Sequence, residues 1–404
     1  MISLSRYAEL LRVPDLRAAL VASIVGRLPI GIATLAILLF LQARTGSFAV
    51  AGSAAALYVL GLATVAPLLG RMIDRLGPRP VLSVGAVVYP ATMLALVVLV
   101  LYTGSHGWVA FVALLAGASF PPITICMRAL YPRLLSDIGL LHTAYSVDSA
   151  LVEAVFIVGP TLVALFVAAG YPLGAVVLAA VCAAAGNAIF LRCAAVRNWV
   201  VRATGERHSL LGPLRSPQLL AVFAANVLYA IAFGLYEIAV IAFAANRGMP
   251  AAAGMVLALA SVGSAAGVIV YGGRDWKVPV PRQFLVAVGL MAGGLLLIAS
   301  ITDIYLFALM NVVAGAPMAP VIASQSVMIS RLAPRAMLAE SFTWGSTCLL
   351  GGISAGIAAG GVLAEHIAPG WILALAAGAT LLSGAVVWVG VRESCDEYEV
   401  RSAE

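Results

Sequence analysis

Gly70-Arg71-Met72-Ile73-Asp74-Arg75-Leu76-Gly77-Pro78-Arg79-Pro80 is a densely charged turn dropped between two long apolar runs. Three arginines surround one aspartate. Gly77 and Pro78 supply the reversal, because glycine accepts a left-handed backbone and proline presets φ. An arginine-rich hairpin of this kind marks the side of a bilayer on which positive residues collect.

The rest of the chain fits a membrane as its solvent. Of 404 residues, 63% are hydrophobic and only 10% charged, and mean hydropathy is +1.08, whereas a soluble globule carries about 25% charged residues. Crossing a bilayer takes roughly 20 apolar residues, and such runs recur along nearly the whole chain. They read as twelve spans: 16–41, 48–70, 80–102, 107–128, 141–169, 172–192, 217–245, 251–272, 282–302, 304–330, 338–364 and 370–391. The fold expected is an all-α polytopic membrane protein. No cleavable signal peptide is expected, since the first run carries Arg27 and Pro29 and is too long. Residues 193–216 form the long internal polar segment and are expected to link an N-terminal six-helix bundle (1–192) to a C-terminal one (217–391), with an acidic tail at 392–404.

With the N-terminus in the cytoplasm, twenty of the 23 Lys and Arg residues fall on inner segments, only Arg44 and Arg247 fall outside, and Arg27 lies within span one. That asymmetry places both termini in the cytoplasm. An internal repeat is also visible. Ala116-Gly117-Ala118-Ser119-Phe120-Pro121-Pro122-Ile123 in span four echoes Ala314-Gly315-Ala316-Pro317-Met318-Ala319-Pro320-Val321 in span ten, at an offset of 198. Gly31 and Arg44 correspond to Gly234 and Arg247 at an offset of 203, and the opening stretch has a worn counterpart in Gly272-Gly273-Arg274-Asp275. Two six-helix pseudo-symmetric halves related by duplication follow, as in many carrier folds.

The opening stretch resembles the signature loop of the major facilitator superfamily, G-x-L-a-D-r-x-G-r-r, between its second and third spans. Gly70, Asp74, Arg75, Gly77 and Arg79 match, Met72 replaces leucine, and Pro80 stands where a second basic residue is common. The resemblance implies a conformational latch in which Asp74 caps a helix of the other half and pairs with an arginine. Arg128, at the inner end of span four, is the expected partner, and Arg75 and Arg79 are expected to bridge toward the second half. For Arg71, positive-inside anchoring suffices; for Asp74 it does not, because an acid adds nothing to anchoring.

Ionisable groups inside a bilayer cost about 2.5–3.5 kcal/mol each on insertion scales, so each needs a partner or a wet cavity. Arg27, Asp148, Glu153 and Glu237 qualify as proton-coupling or cavity residues. Arg27 is eleven residues into its span, roughly 16 Å deep at about 1.5 Å per residue. The resemblance makes spans one and five neighbours and so implies an Arg27–Glu153 pair; such a pair either locks two helices or opens and closes as a proton is carried. Asp148 is five residues from Glu153, roughly 140° around a helix, and is expected nearer the inner mouth, in water. Glu237 meets a cationic substrate or a proton, or else reaches outer water or Arg247. Tyr229, Tyr236, Asn226, Asn311 and Gln325 are expected on cavity helices.

Pro29, Pro121, Pro122, Pro317 and Pro320 fall on the helices that the superfamily uses as gates, where a lost backbone bond permits a kink. Gly159-Pro160 resembles the centre of the drug/proton antiporter signature G-x-x-x-G-P-x-x-G-G, although Val155 replaces its first glycine and Val163-Ala164 its final pair. A packing kink between small residues explains the same dipeptide. The function expected is a secondary transporter: proton-coupled efflux of a neutral or cationic amphipathic compound across a bacterial cytoplasmic membrane, by a monomer with no cofactor beyond the proton gradient. Its partners are a small-molecule substrate, protons and membrane lipids, with no nucleic acid. An importer is the nearest alternative, and an embedded enzyme or receptor a more distant one. The four histidines form no acid–base or metal cluster, the cysteines show no metal-ligand spacing, and no G-x-x-x-x-G-K phosphate loop is present.

Overall fold

The computed structural model describes residues 4–46, 48–102, 105–199, 212–249, 252–274 and 276–391, which form helices joined by short turns. In chain order the helices are α1 (Leu4–Arg12), α2 (Pro14–Thr45), α3 (Phe48–Leu76), α4 (Pro78–Tyr102), α5 (His106–Ala118), α6 (Ile123–Leu134), α7 (Ile138–Ala168), α8 (Pro172–Arg192) and α9 (Ala194–Arg197). The second series is α10 (Pro217–Ala245), α11 (Ala252–Gly272), α12 (Val280–Ala299), α13 (Ile304–Gly315), α14 (Met318–Leu332), α15 (Leu338–Ala364) and α16 (Pro369–Gly390). Among the described residues twelve segments are long and apolar enough to cross a membrane, with α5–α6 and α13–α14 each forming one interrupted span. Most of the 193–216 segment, the 392–404 tail and Asp275 of the worn repeat lie outside the described residues.

The charged turn is shorter than expected. α3 continues to Leu76, α4 starts at Pro78, and Gly77 alone makes the reversal with φ 82°, its N–H donating to the Ile73 carbonyl at 2.9 Å. Asp74 and Arg75 therefore sit in the last helical turn instead of a loop. A left-handed glycine cap and an arginine near the C-terminal dipole both favour prolonging α3.

The prolines fall in two settings. Pro121 and Pro122 lie in the non-helical break between α5 and α6, while Pro317 caps α14 and Pro320 occupies its first turn. Pro29 and Pro160, by contrast, sit inside unbroken α2 and α7. Each removes one backbone bond without ending the helix, because neighbouring packing holds the turn.

Duplication is visible in the packing. α2 and α7 cross where Gly31 meets the Val155 backbone and Gly159 meets Gly31; a Cβ on Gly159 would lie 2.6 Å from the Gly31 carbonyl carbon. α10 and α15 repeat the crossing, with Gly234 against the Ile353 backbone and Gly356 against Ile231. Gly159 therefore serves a helix contact whose counterpart in the second half lacks the proline.

The halves join on one side. Where α3 ends and α7 begins, near Arg71, Arg75 and Arg133, buried residues of the first half such as Ile73, Leu130 and Tyr145 share one continuous core with the second half. Toward the opposite face, Ile32–Leu41, Tyr89–Val97 and Ala175–Ala183 contribute to a separate core, to which no second-half residue adds among those described. The contact runs through α3 on α15 and α7 on α11 and α14.

Candidate functional site

Asp148, on α7, organises a buried charge cluster. Its Oδ1 accepts from Arg27 Nη2 at 2.5 Å and from Tyr131 OH at 2.9 Å, and its Oδ2 accepts from Arg128 Nε at 2.7 Å. Tyr145 OH donates to the Arg128 carbonyl at 3.0 Å. Arg27 and Asp148 are fully buried and the Arg128 side chain nearly so, at 14% exposure. Two guanidinium groups on one carboxylate leave the cluster one positive charge in excess. Charge-assisted bonds of this kind are short and strong in a dry interior.

This arrangement corrects two expectations. Arg27 pairs with Asp148 and not with Glu153, and Asp148 is buried in the cluster instead of exposed at a mouth. The half-turn between the two acids on α7 points Asp148 toward α2 and α6, while Glu153 faces the other half. There, Glu153 Oε1 accepts from Ser264 Oγ on α11 at 3.0 Å. Glu237 is partly buried on α10 and has no hydrogen-bond or ion-pair partner among the described residues. Arg247 is engaged elsewhere: its Nε donates to the Thr302 carbonyl at 2.6 Å and its guanidinium stacks on Phe243.

Arg128 also differs from its expected role. It holds Asp148, whereas Asp74 accepts from the backbone N–H groups of Ala339 at 3.0 Å and Glu340 at 2.8 Å, in the first turn of α15. A carboxylate on a helix N-terminus meets unpaired amides and the positive end of the dipole. Arg133, not Arg128, is the cation in electrostatic range of Asp74, and Arg71 and Arg75 are in range of Glu340. Arg79 is exposed. Gly70 allows the close approach: a Cβ there would lie 2.5 Å from Thr343 Oγ1. Further from this end, Thr347 Oγ1 donates to the Ala63 carbonyl at 3.2 Å. On the α7 side, Thr143 Oγ1 donates to the Gly272 carbonyl at 2.8 Å.

Between the halves a small, partly open cavity is lined by Arg128 from α6 and by Asn226, Gln325, Ser326 and Ser346 from α10, α14 and α15. Asn226 and Gln325 thus meet at the cavity. Tyr236 and Asn311 bond each other at 2.8 Å within the second half, and Tyr229 OH donates to the Met318 carbonyl at 3.3 Å, so these three pin helices together. Tyr131 and Ser264 are the partners that sequence reasoning missed. Tyr131 carried a signal, being three residues after Arg128 and so on the same helix face. Ser264 carried none, because no local pattern reports a contact between halves.

Twelve spans in two repeated halves, in contact at one face and enclosing a polar cavity with a buried charge cluster beside it, define a carrier-type membrane fold. Residues 19–274 match the family profile of the Major Facilitator Superfamily, and the chain belongs to that superfamily. It is 29% identical over 280 residues to the uncharacterized MFS-type transporter y4rN of Sinorhizobium fredii (strain NBRC 101917 / NGR234), a match covering 65% of this chain and 66% of that relative, or just under two thirds of its length. Among solved structures it is similar to a bacterial homologue of the iron transporter ferroportin in an outward-facing state, with TM-score 0.78, 15% identity and 94% and 99% of the two chains covered. It is also similar to the human organic anion transporter MFSD10, with TM-score 0.67, 17% identity and 95% and 99% covered. The proton:xylose symporter XylE gives TM-score 0.67 at 12% identity, with 92% and 95% covered. At these identities the structural likeness is one of fold.

Proposed function

We propose that this chain is a proton-coupled secondary transporter that exports a small molecule by alternating access, with its arginine-rich face in the cytoplasm. The observation carrying the reading is that, among the described residues, the two halves share one core at that face, where Asp74 caps the N-terminus of α15, while a separate first-half core lies toward the other face. In this state the cavity is closed to the cytoplasm, and breaking the Asp74 contacts opens it.

Glu153 is the proton carrier in this reading. Asp148 is already engaged by two guanidinium groups and a tyrosine hydroxyl within the first half. Among the described residues Glu153 hydrogen-bonds one hydroxyl, on a helix of the other half that must move, so its environment changes with the state of the carrier. Outward direction is supported by the partial antiporter pattern at Gly159-Pro160.

The test uses everted membrane vesicles and a compound to which cells become hypersensitive when the gene is deleted. An inside-acid gradient drives uptake of that compound, and a protonophore abolishes it. Glu153→Gln keeps an oxygen for Ser264 and is expected to fold normally while losing gradient-driven uptake. Uptake that persists with the protonophore contradicts proton coupling, and uptake by right-side-out cells contradicts export.

A further inference from the structure

The cavity wall is unbalanced in hydrogen-bonding character. Arg128 is fixed through Nε by Asp148, and among the described residues its two terminal amines have no partner. Across the cavity the buried Gln325 Nε2 also lacks one, as does Asn226 Oδ1, whose amide nitrogen donates to the Gly345 carbonyl at 2.7 Å. The hydroxyls of Ser326 and Ser346 donate to carbonyls of their own helices. Among the described residues no carboxylate lines the cavity. Its remaining wall is apolar: Ile322, Ile329, Phe342 and Leu349.

Buried polar atoms without partners cost free energy, and a site that leaves them open is complementary to a ligand that fills them. Here the open groups are two guanidinium N–H2 groups and one amide N–H2, beside two amide oxygens, Asn226 Oδ1 and Gln325 Oε1, so N–H donors outnumber acceptors and the one formal charge on the wall is positive. The adjacent cluster adds a net positive charge, in surroundings where charge is weakly screened. A cation gains two neutral amide oxygens at the expense of facing the Arg128 charge directly.

We infer that this cavity binds an amphipathic organic anion: a carboxylate held by Arg128 and Gln325, a hydrogen-bond donor near it for Asn226, and an apolar body against Phe342, Ile322 and Leu349. The sequence pointed to neutral or cationic cargo because buried charge is scarce overall; the cavity reverses that polarity, since the one charge on its wall is positive. The assignment rests on the transport reading above for its consequence, and on the cavity alone for its chemistry. Loading a carboxylate onto Arg128 also competes with Asp148 for that guanidinium, which links occupancy of the cavity to the ion cluster beside α2.

The test is binding by the purified full-length chain in nanodiscs at neutral pH, with 4-phenylbutanoate, 4-phenylbutanamide and 4-phenylbutylamine as probes of one shape and three charges, and inorganic phosphate as a bare anion. Tighter binding of 4-phenylbutanoate than of the amide or amine by at least about tenfold is expected, as for a lost hydrogen bond to a charged group. Gln325→Glu is expected to weaken the carboxylate by about tenfold or more while sparing the amide, and Gln325→Leu to weaken it less. These two variants decide the matter if Arg128→Gln fails to fold. Tightest binding of the amine, equal binding of the three, binding of none, or phosphate competing as well as the carboxylate overturns the assignment. Such a failure leaves Glu153-dependent transport standing, whereas loss of proton coupling with carboxylate selectivity intact overturns the transport reading alone.

Discussion

Asp148 shows how much one buried side chain decides. Its carboxylate neutralises part of Arg27 and Arg128 and accepts from Tyr131, yet two buried Arg27 atoms, Nε and Nη1, still have no partner among the described residues. Replacing a buried ion pair by apolar groups is often neutral, but removing one partner strands the other charge at a cost of about 3–5 kcal/mol. Asp148→Leu is therefore expected to lower unfolding stability in detergent by that amount. The double variant Arg27→Met with Asp148→Leu is expected to be more stable than Asp148→Leu alone. Equal stability of the single variant and the wild type, read by thermal or denaturant unfolding, contradicts the cluster. The four intramembrane ionisable residues stood out in the sequence because each is costly in lipid. Which acid meets Arg27 did not, since burial and rarity say nothing of the angle between neighbouring helices.

At the scale of helices, glycine contacts set the distances. The α2–α7 crossing depends on Gly31 and Gly159 touching through backbone atoms, so a methyl group at either position pushes the helices apart. Overpacking of this sort costs about 1–3 kcal/mol. Gly159→Ala is expected to lose stability in that range, and by shifting α7 to weaken the Asp148 cluster as well. Pro160→Ala, which restores a backbone donor in an already continuous helix, is expected to leave stability within about 0.5 kcal/mol, as for a substitution away from any special feature; the reverse order in unfolding experiments contradicts the packing role of Gly159. Twelve spans, and the breaks at Pro121-Pro122 and Pro317, followed from hydropathy and helix chemistry, which are local. Pro29 and Pro160 lie inside continuous helices, where proline's effect depends on what packs around it. Gly77 was identified as the pivot, but the helical continuation of α3 through Asp74 was hidden by the charges.

For the whole molecule, the decisive feature is that the halves meet at the arginine-rich face and part toward the other. The duplication offered two halves in the sequence, since repeats survive as spaced small residues and prolines. It did not offer the joint between them: Ser264 with Glu153, Thr143 with Gly272 and Thr347 with Ala63 pair residues far apart in the chain and carry no periodic signal. Asp74 was found only through its resemblance to a family pattern; it caps α15 of the other half as that resemblance implies, with Arg133 instead of Arg128 as the nearby cation. In Asp74→Asn the neutral side chain keeps one acceptor but loses the charge at the helix dipole, and with it one of the two backbone bonds.

That variant allows the central claim to be tested without knowing the cargo. Spin labels at Ser136 and Lys277, both exposed at the arginine-rich face, and in a second protein at Tyr171 and Tyr305, exposed toward the other, report the two openings by pulsed electron paramagnetic resonance in a background lacking the native cysteines. The 136–277 distance is expected to be short and narrowly distributed in the otherwise wild-type chain. Asp74→Asn is expected to add a longer 136–277 population together with a shorter 171–305 one. Distances unchanged at both faces by Asp74→Asn contradict a latch that governs alternating access.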